Sequence, residues 1–123
     1  MNATILVVDD ENVTVRIVRH ALASISVEAI DAADGMQAVQ LASQSQFDMA
    51  IVDINLPDMD GFEVVRRLKS FNHLRDVPVV MFTARHTRDD ELLAAEVGAQ
   101  GFFYKPFSTQ ELREMVRKHL DAS

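Results

Sequence analysis

Met49-Ala50-Ile51-Val52-Asp53-Ile54-Asn55-Leu56-Pro57-Asp58-Met59-Asp60-Gly61 is the stretch on which the fold turns. An apolar run, Met49 to Val52, drives straight into a single carboxylate, Asp53. A short apolar run bounded by turn residues reads as a strand buried on both faces, the kind found in the middle of a parallel sheet. Pro57 and Gly61 then stop the strand and turn the chain. An acid on the last residue of such a strand stands at the carboxyl edge of the sheet, where open α/β sheets bind ligands. Asp53 could equally cap the strand or the turn, so its meaning depends on what else the chain brings to that edge.

Outward from this stretch, strands and helices alternate. Thr4 to Val8 is an apolar strand ending in Asp9-Asp10. The next segment carries Val13, Ile17, Val18, Ala21, Leu22 and Ile25 on one helical stripe, with Arg16, Arg19 and His20 off it. Val27 to Asp31 alternates apolar and polar and suits an edge strand. Asp34-Gly35 opens a second helix with Met36, Val39 and Leu41-Ala42 as its apolar side. Gly61 to Phe71 is a helix packing Phe62, Val65 and Leu68, and Val79 to Phe82 is a fourth strand behind Pro78. Thr87 begins a helix that keeps Leu92, Leu93 and Val97 together and stops at Gly98. Gly101 to Tyr104 is a fifth strand. Ser108-Thr109-Gln110-Glu111 is a capping box leading into Leu112, Met115, Val116 and Leu120 on a last helix.

The expected fold is therefore α/β: a (βα)5 doubly wound open parallel sheet, with too few units for a closed eight-stranded barrel. Residues 1–123 read as a single domain without repeat or linker. A formal net charge of −7 argues against direct nucleic acid and anionic membrane partners, because the whole-protein field repels them. With no cysteine there is no disulfide framework, thiolate metal site or thiol nucleophile. The absence of a long apolar run or a basic leader makes the cytoplasm the default location.

Right-handed crossovers place every strand's C-terminal end on one rim. That rim gathers Asp9-Asp10, Asp53, Thr83 and Lys105 from four parts of the chain. Two carboxylates ~4 Å apart repel by about 4 kcal/mol at an effective dielectric near ~20. Such a cluster therefore calls for a cation, and hard oxygen ligands with room for water favour Mg²⁺. Asp53 is then a nucleophile for an acyl phosphate, with Lys105 and Thr83 stabilising the transferring group.

These residues carry a resemblance. Ile5-Leu6-Val7-Val8-Asp9-Asp10, Asp53 through Gly61, Phe82-Thr83-Ala84 and Tyr104-Lys105-Pro106-Phe107, in this order and spacing, resemble the receiver (CheY-like) domain of two-component response regulators. The resemblance spans essentially the whole chain. It implies a flavodoxin-like sheet with strand order 2-1-3-4-5. It further implies a phosphorelay switch rather than an enzyme, with Asp53 as phosphoacceptor from a histidine kinase or histidine phosphotransfer protein. Mg²⁺ would be held by Asp10, Asp53 and the Asn55 main-chain carbonyl, with Asp9 acting mostly through water. Thr83 and Phe102 match the switch pair, Lys105 contacts a phosphoryl oxygen, and the Lys105-Pro106 bond is cis. Asn55 and Arg85 fall at the positions that tune loss of the phosphoryl group. Phe102 departs from the tyrosine of some members and has no hydroxyl to expose. The partner that reads the helix 4, strand 5 and helix 5 face is an output protein or a fused output domain. A phosphorylation-dependent homodimer stays open.

Plainer readings stand beside these. Asp9-Asp10-Glu11 suits a helix N-cap with acids in its first turn. Asp58-Met59-Asp60-Gly61 hints at a calcium loop, but Leu56 and Arg67 stand where that loop needs acids, so it reads as turn and cap. His20, His73, His86 and His119 have no metal-ligand spacing. An aspartate-nucleophile phosphatase would need a second acid where Asn55 stands, and a flavin carrier would need hydroxyls or glycine where Asp9-Asp10 stand. A receiver cut from a longer regulator or hybrid kinase would share all the chemistry.

Overall fold

The computed structural model describes residues 2–84 and 87–122. Its elements run β1 (Ala3–Val8), α1 (Asn12–Ala23), β2 (Val27–Ala32), α2 (Gly35–Gln44), β3 (Met49–Asp53), α3 (Gly61–Ser70), a 3₁₀ turn (Asn72–Leu74), β4 (Val79–Thr83), α4 (Arg88–Val97), β5 (Gly101–Tyr104) and α5 (Thr109–Ala122). All neighbouring strands pair in parallel, in the order β2-β1-β3-β4-β5. The apolar strand through Ile51 lies at the centre, and every residue of β3 is buried.

Strand alternation divides the core into two layers. Leu6, Val8, Ala50, Val52 and Met81 face α2, α3 and α4. Ile5, Val7, Ile51, Val80 and Phe82 face α1 and α5. Burying each such aliphatic side chain is worth about 1.5–3 kcal/mol relative to leaving it exposed. Caps set the helix starts. Asp34 accepts the Gln37 N–H at the head of α2, and Asp60 accepts the Glu63 N–H at the head of α3, each at 2.8 Å. Thr87 and Asp90 form a reciprocal capping box on α4, and Ser108 and Glu111 form another on α5. Gly98 ends α4 in the left-handed conformation at φ 98°, where a side chain would be strained.

Four apolar residues assigned to buried helix faces lie in solvent. Val13 is 68% exposed, Met36 48% and Leu92 60%; Ile17, at 43%, joins them. The buried faces belong to Val15, Val18, Ala21 and Leu22 in α1, to Gly35, Ala38 and Ala42 in α2, and to Ala94 in α4. Each misassigned residue sits two positions from a buried one, Val13 and Ile17 from Val15, Met36 from Ala38, and Leu92 from Ala94. Two positions are about 200° of helical rotation, so Val13, Met36 and Leu92 point largely away from the packed face, while Ile17, next to Val18 and one turn from Ala21, sits at its margin. In α2 and α4 the buried positions are small residues, Gly35, Ala38, Ala42 and Ala94, whereas α1 packs Val15, Val18 and Leu22.

Candidate functional site

The sheet order builds the site. Val8 pairs with Val52, so Asp9 and Asp53 follow side by side on adjacent strands. Asp53 pairs with Phe82, and Thr83 pairs with Tyr104, which brings Lys105 to the same rim. The Lys105 N–H donates to the Thr83 carbonyl at 2.8 Å, extending the strand pairing by one residue, and the Lys105–Pro106 peptide bond is cis.

Side chains then converge. The Lys105 ammonium lies 2.8 Å from Asp9 Oδ2, 2.9 Å from Glu11 Oε1 and 3.1 Å from Asp53 Oδ2. It also stands 4.9 Å from the centroid of the Phe82 ring, a cation–π distance. Asp53 Oδ1 accepts the Asn55 N–H at 3.1 Å, so both oxygens of this buried carboxylate are engaged. Burial works to lower the Lys105 pKa. The hydrogen bonds and charges of the surrounding carboxylates outweigh it and hold the ammonium firmly protonated, well above its ordinary range. For Asp9 burial prevails: it raises the pKa despite the opposing hydrogen bond and charge of Lys105. Glu11, exposed at the edge, is held low by its hydrogen bond to Lys105.

Carboxylate oxygens of Asp9, Asp10 and Asp53 lie within 4.8 Å of one another, with Asp10 facing solvent. Asp9 Oδ2 is buried and ion-paired to the Lys105 ammonium at 2.8 Å. One ammonium does not neutralise three clustered carboxylates, and a hard divalent cation favours such a group of oxygens. The donor set therefore fits Mg²⁺.

Thr83 is fully buried at the end of β4. Phe102 pairs with Met81 on the neighbouring strand, and its half-buried ring packs against the α2–α4 layer, 6.4 Å from Tyr104. By alternation Thr83 lies on that same layer with Met81. Arg85, expected at the second tuning position, and His86 lie outside the described residues. A surface recess of about 700 Å³ runs along Val13, Arg16, Ile17, His20 and Thr109 and includes none of the carboxylates.

Two acids behave unlike the sequence reading. Glu11 takes the N-cap position of α1 but makes no side-chain cap, reaching to Lys105 instead. Asp58 caps not its own helix but α2, its carboxylate accepting the Gly35 N–H at 2.8 Å and the Met36 N–H at 2.9 Å. Met59 packs against Gly35 so closely that a side chain there would overlap it. Position directly after Asp10 was the one available signal for Glu11. Asp58 had none, because its partner is 23 residues away.

Residues 5–117 match the response regulator receiver domain, and the chain belongs to that family. Its members are signalling switches of two-component phosphorelays. The chain is 34% identical over 115 residues to chemotaxis protein CheY of Pseudomonas aeruginosa, covering 93% of each. It is 35% identical over 123 residues to the alkaline phosphatase synthesis transcriptional regulatory protein PhoP of Bacillus subtilis, spanning all of this chain but only 50% of that protein. A solved receiver domain of the sensor histidine kinase PA1611 from Pseudomonas aeruginosa, with a magnesium ion in its active site cleft, superposes with a TM-score of 0.89 at 27% identity, over 98% of this chain and 99% of that one. Among the described residues no helix is long and apolar enough to cross a membrane.

Proposed function

We propose that this chain is a single receiver domain, acting in the cytoplasm, that takes a phosphoryl group onto Asp53 from the phosphohistidine of a kinase or phosphotransfer protein. The convergence of Lys105 with Asp9 and Asp53, at 2.8 Å and 3.1 Å, is the observation that carries this reading. Asp53 attacks phosphorus, an O–P bond forms as the P–N bond breaks, and the histidine departs with a proton on its ring. Lys105 holds an oxygen of the transferred group, and the Thr83 hydroxyl donates to another. Asp9, Asp10, Asp53 and the Asn55 carbonyl are the residues that would hold Mg²⁺, which supplies charge neutralisation when bound. The product is an acyl phosphate on this chain, so the protein acts on itself and turns over no free substrate. The added charge of about −1.5 to −2 pulls Thr83 inward and turns Phe102, repacking the α4–β5–α5 face for an output protein or domain.

Treatment with a small-molecule phosphodonor and Mg²⁺, followed by intact mass, tests this. One acid-labile phosphoryl group is expected on the wild type and none on Asp53→Asn; equal incorporation in the variant overturns the assignment. Asp10→Asn should weaken Mg²⁺ binding at least tenfold by titration.

A further inference from the structure

Glu11 is out of place as a helix cap. It has N-cap backbone angles, φ −90° and ψ 107°, yet leaves the first N–H groups of α1 without its carboxylate. The carboxylate crosses to the opposite edge of the site and binds a residue 94 positions away, Lys105. Its backbone N–H is meanwhile tied to Asp9 Oδ1 at 2.9 Å, which fixes the direction in which the side chain leaves. The pair joins two environments: the Glu11 side chain is 61% exposed, whereas that of Lys105 is 14% exposed.

Lys105 has three N–H donors and three carboxylates around it. Two of these, Asp9 and Asp53, belong to the group whose oxygens cluster closely enough to share a cation; Glu11 does not. A cation among Asp9, Asp10 and Asp53 thus offsets two of the acids that hold the ammonium and leaves the third untouched. The group arriving on Asp53 brings oxygens that need the same ammonium. Glu11 is the one acceptor that continues to compete for it.

We propose that Glu11 is a positioning residue: it holds the Lys105 ammonium at the rim of the empty receiver and competes with the phosphoryl oxygens on Asp53 for it. This rests on the phosphoacceptor reading of Asp53. The hold is weak enough to release, because one partner is solvated and exposed ion pairs are stabilised little. Its effect is to shift the balance between the free and the phosphoryl-bearing state.

The test titrates beryllofluoride, a phosphoryl mimic, with Mg²⁺ into wild type, Glu11→Ala and Glu11→Asp, following backbone amide signals. Glu11→Ala removes both contact and charge. Glu11→Asp keeps the charge but is one methylene too short to reach the ammonium. Both variants are expected to bind the mimic more tightly, by roughly two- to fivefold, the scale set by an exposed ion pair. Tighter binding in Glu11→Ala alone would assign the effect to the local field, and unchanged binding in both would remove it; either overturns the proposal. A second measurement needs neither metal nor mimic. The ¹⁵N–¹H signal of the Lys105 ammonium, protected from solvent exchange in the wild type, should broaden in both variants, and a signal unchanged in both overturns the contact. Wild type that takes up no beryllofluoride instead refutes the phosphoacceptor reading, and the inference falls with it.

Discussion

β3 buries all five of its residues, whereas no residue of β5 is fully buried and Tyr104 is 45% exposed. The loop after β3 is equally constrained. The Gly61 N–H donates to the Ile54 carbonyl at 2.7 Å, Asn55 bridges to Asp60, and Asp58 is fastened to α2. Beside β5, α4 buries only Ala94. The site straddles this difference: Asp9 and Asp53 stand on the tightly packed strands, while Lys105 ends the lightly packed one. Close-packed interiors resist displacement, so a change in charge on Asp53 finds its least costly movement on the α4–β5 side. In the function proposed above, a rigid acceptor beside a yielding neighbour would let a local charge act at a distance.

The sharpest way to break this comparison is a methyl group on each side. A Cβ at Gly61 would overlap the Asp53 main-chain oxygen and come within 2.9 Å of Ile54 Cα. Gly61→Ala should cost about 3 kcal/mol in urea denaturation; a loss below ~1 kcal/mol would mean that the β3 loop yields as easily as β5.

Asp9 comes next. Its raised pKa means that the folded state holds the proton more tightly than the unfolded chain. Stability attributable to Asp9 therefore falls as pH rises from about 3.8 through its folded value. Without divalent cations, Asp9→Asn should shift the urea midpoint upward at pH 7 and leave it little changed near pH 3. A lower midpoint at pH 7 would show that the Lys105 pair outweighs desolvation. Asp58→Ala removes two hydrogen bonds to α2 and should cost about 1 kcal/mol, with faster amide exchange at Gly35 and Met36 as the local signature.

The smallest effects belong to the β5 side. Nothing lies within 4 Å of a Cβ at Gly101. Gly101→Ala and Leu92→Ser should each stay within about 0.5 kcal/mol of wild type. A larger loss in either would show tighter packing around α4 and β5 than their exposure implies.

The strands were legible because four are short apolar runs and β2 alternates apolar and polar, and Asp9, Asp53 and Lys105 could be placed on one rim from topology alone. The helix boundaries followed from caps such as Asp34, Thr87 and Ser108, whose partners lie within three residues. Helix faces were less legible. Val13, Met36 and Leu92 are apolar enough to be buried, and only the way each helix is turned on the sheet selects Val15, Ala38 and Ala94 instead. The roles of Glu11 and Asp58 escaped for a related reason, since a carboxylate beside a helix start always has a plausible local use.

From the sequence by itself came the five-unit alternation, the strand that ends in Asp53 and the set of residues brought to its edge, because these rest on short-range periodicity and chain handedness. Only the tertiary structure decided which acids share Lys105, that Asp9 is buried beside it, and that Asp58 serves α2. Those are choices among partners 23 or more residues apart, made by which side chains the packed sheet brings into contact.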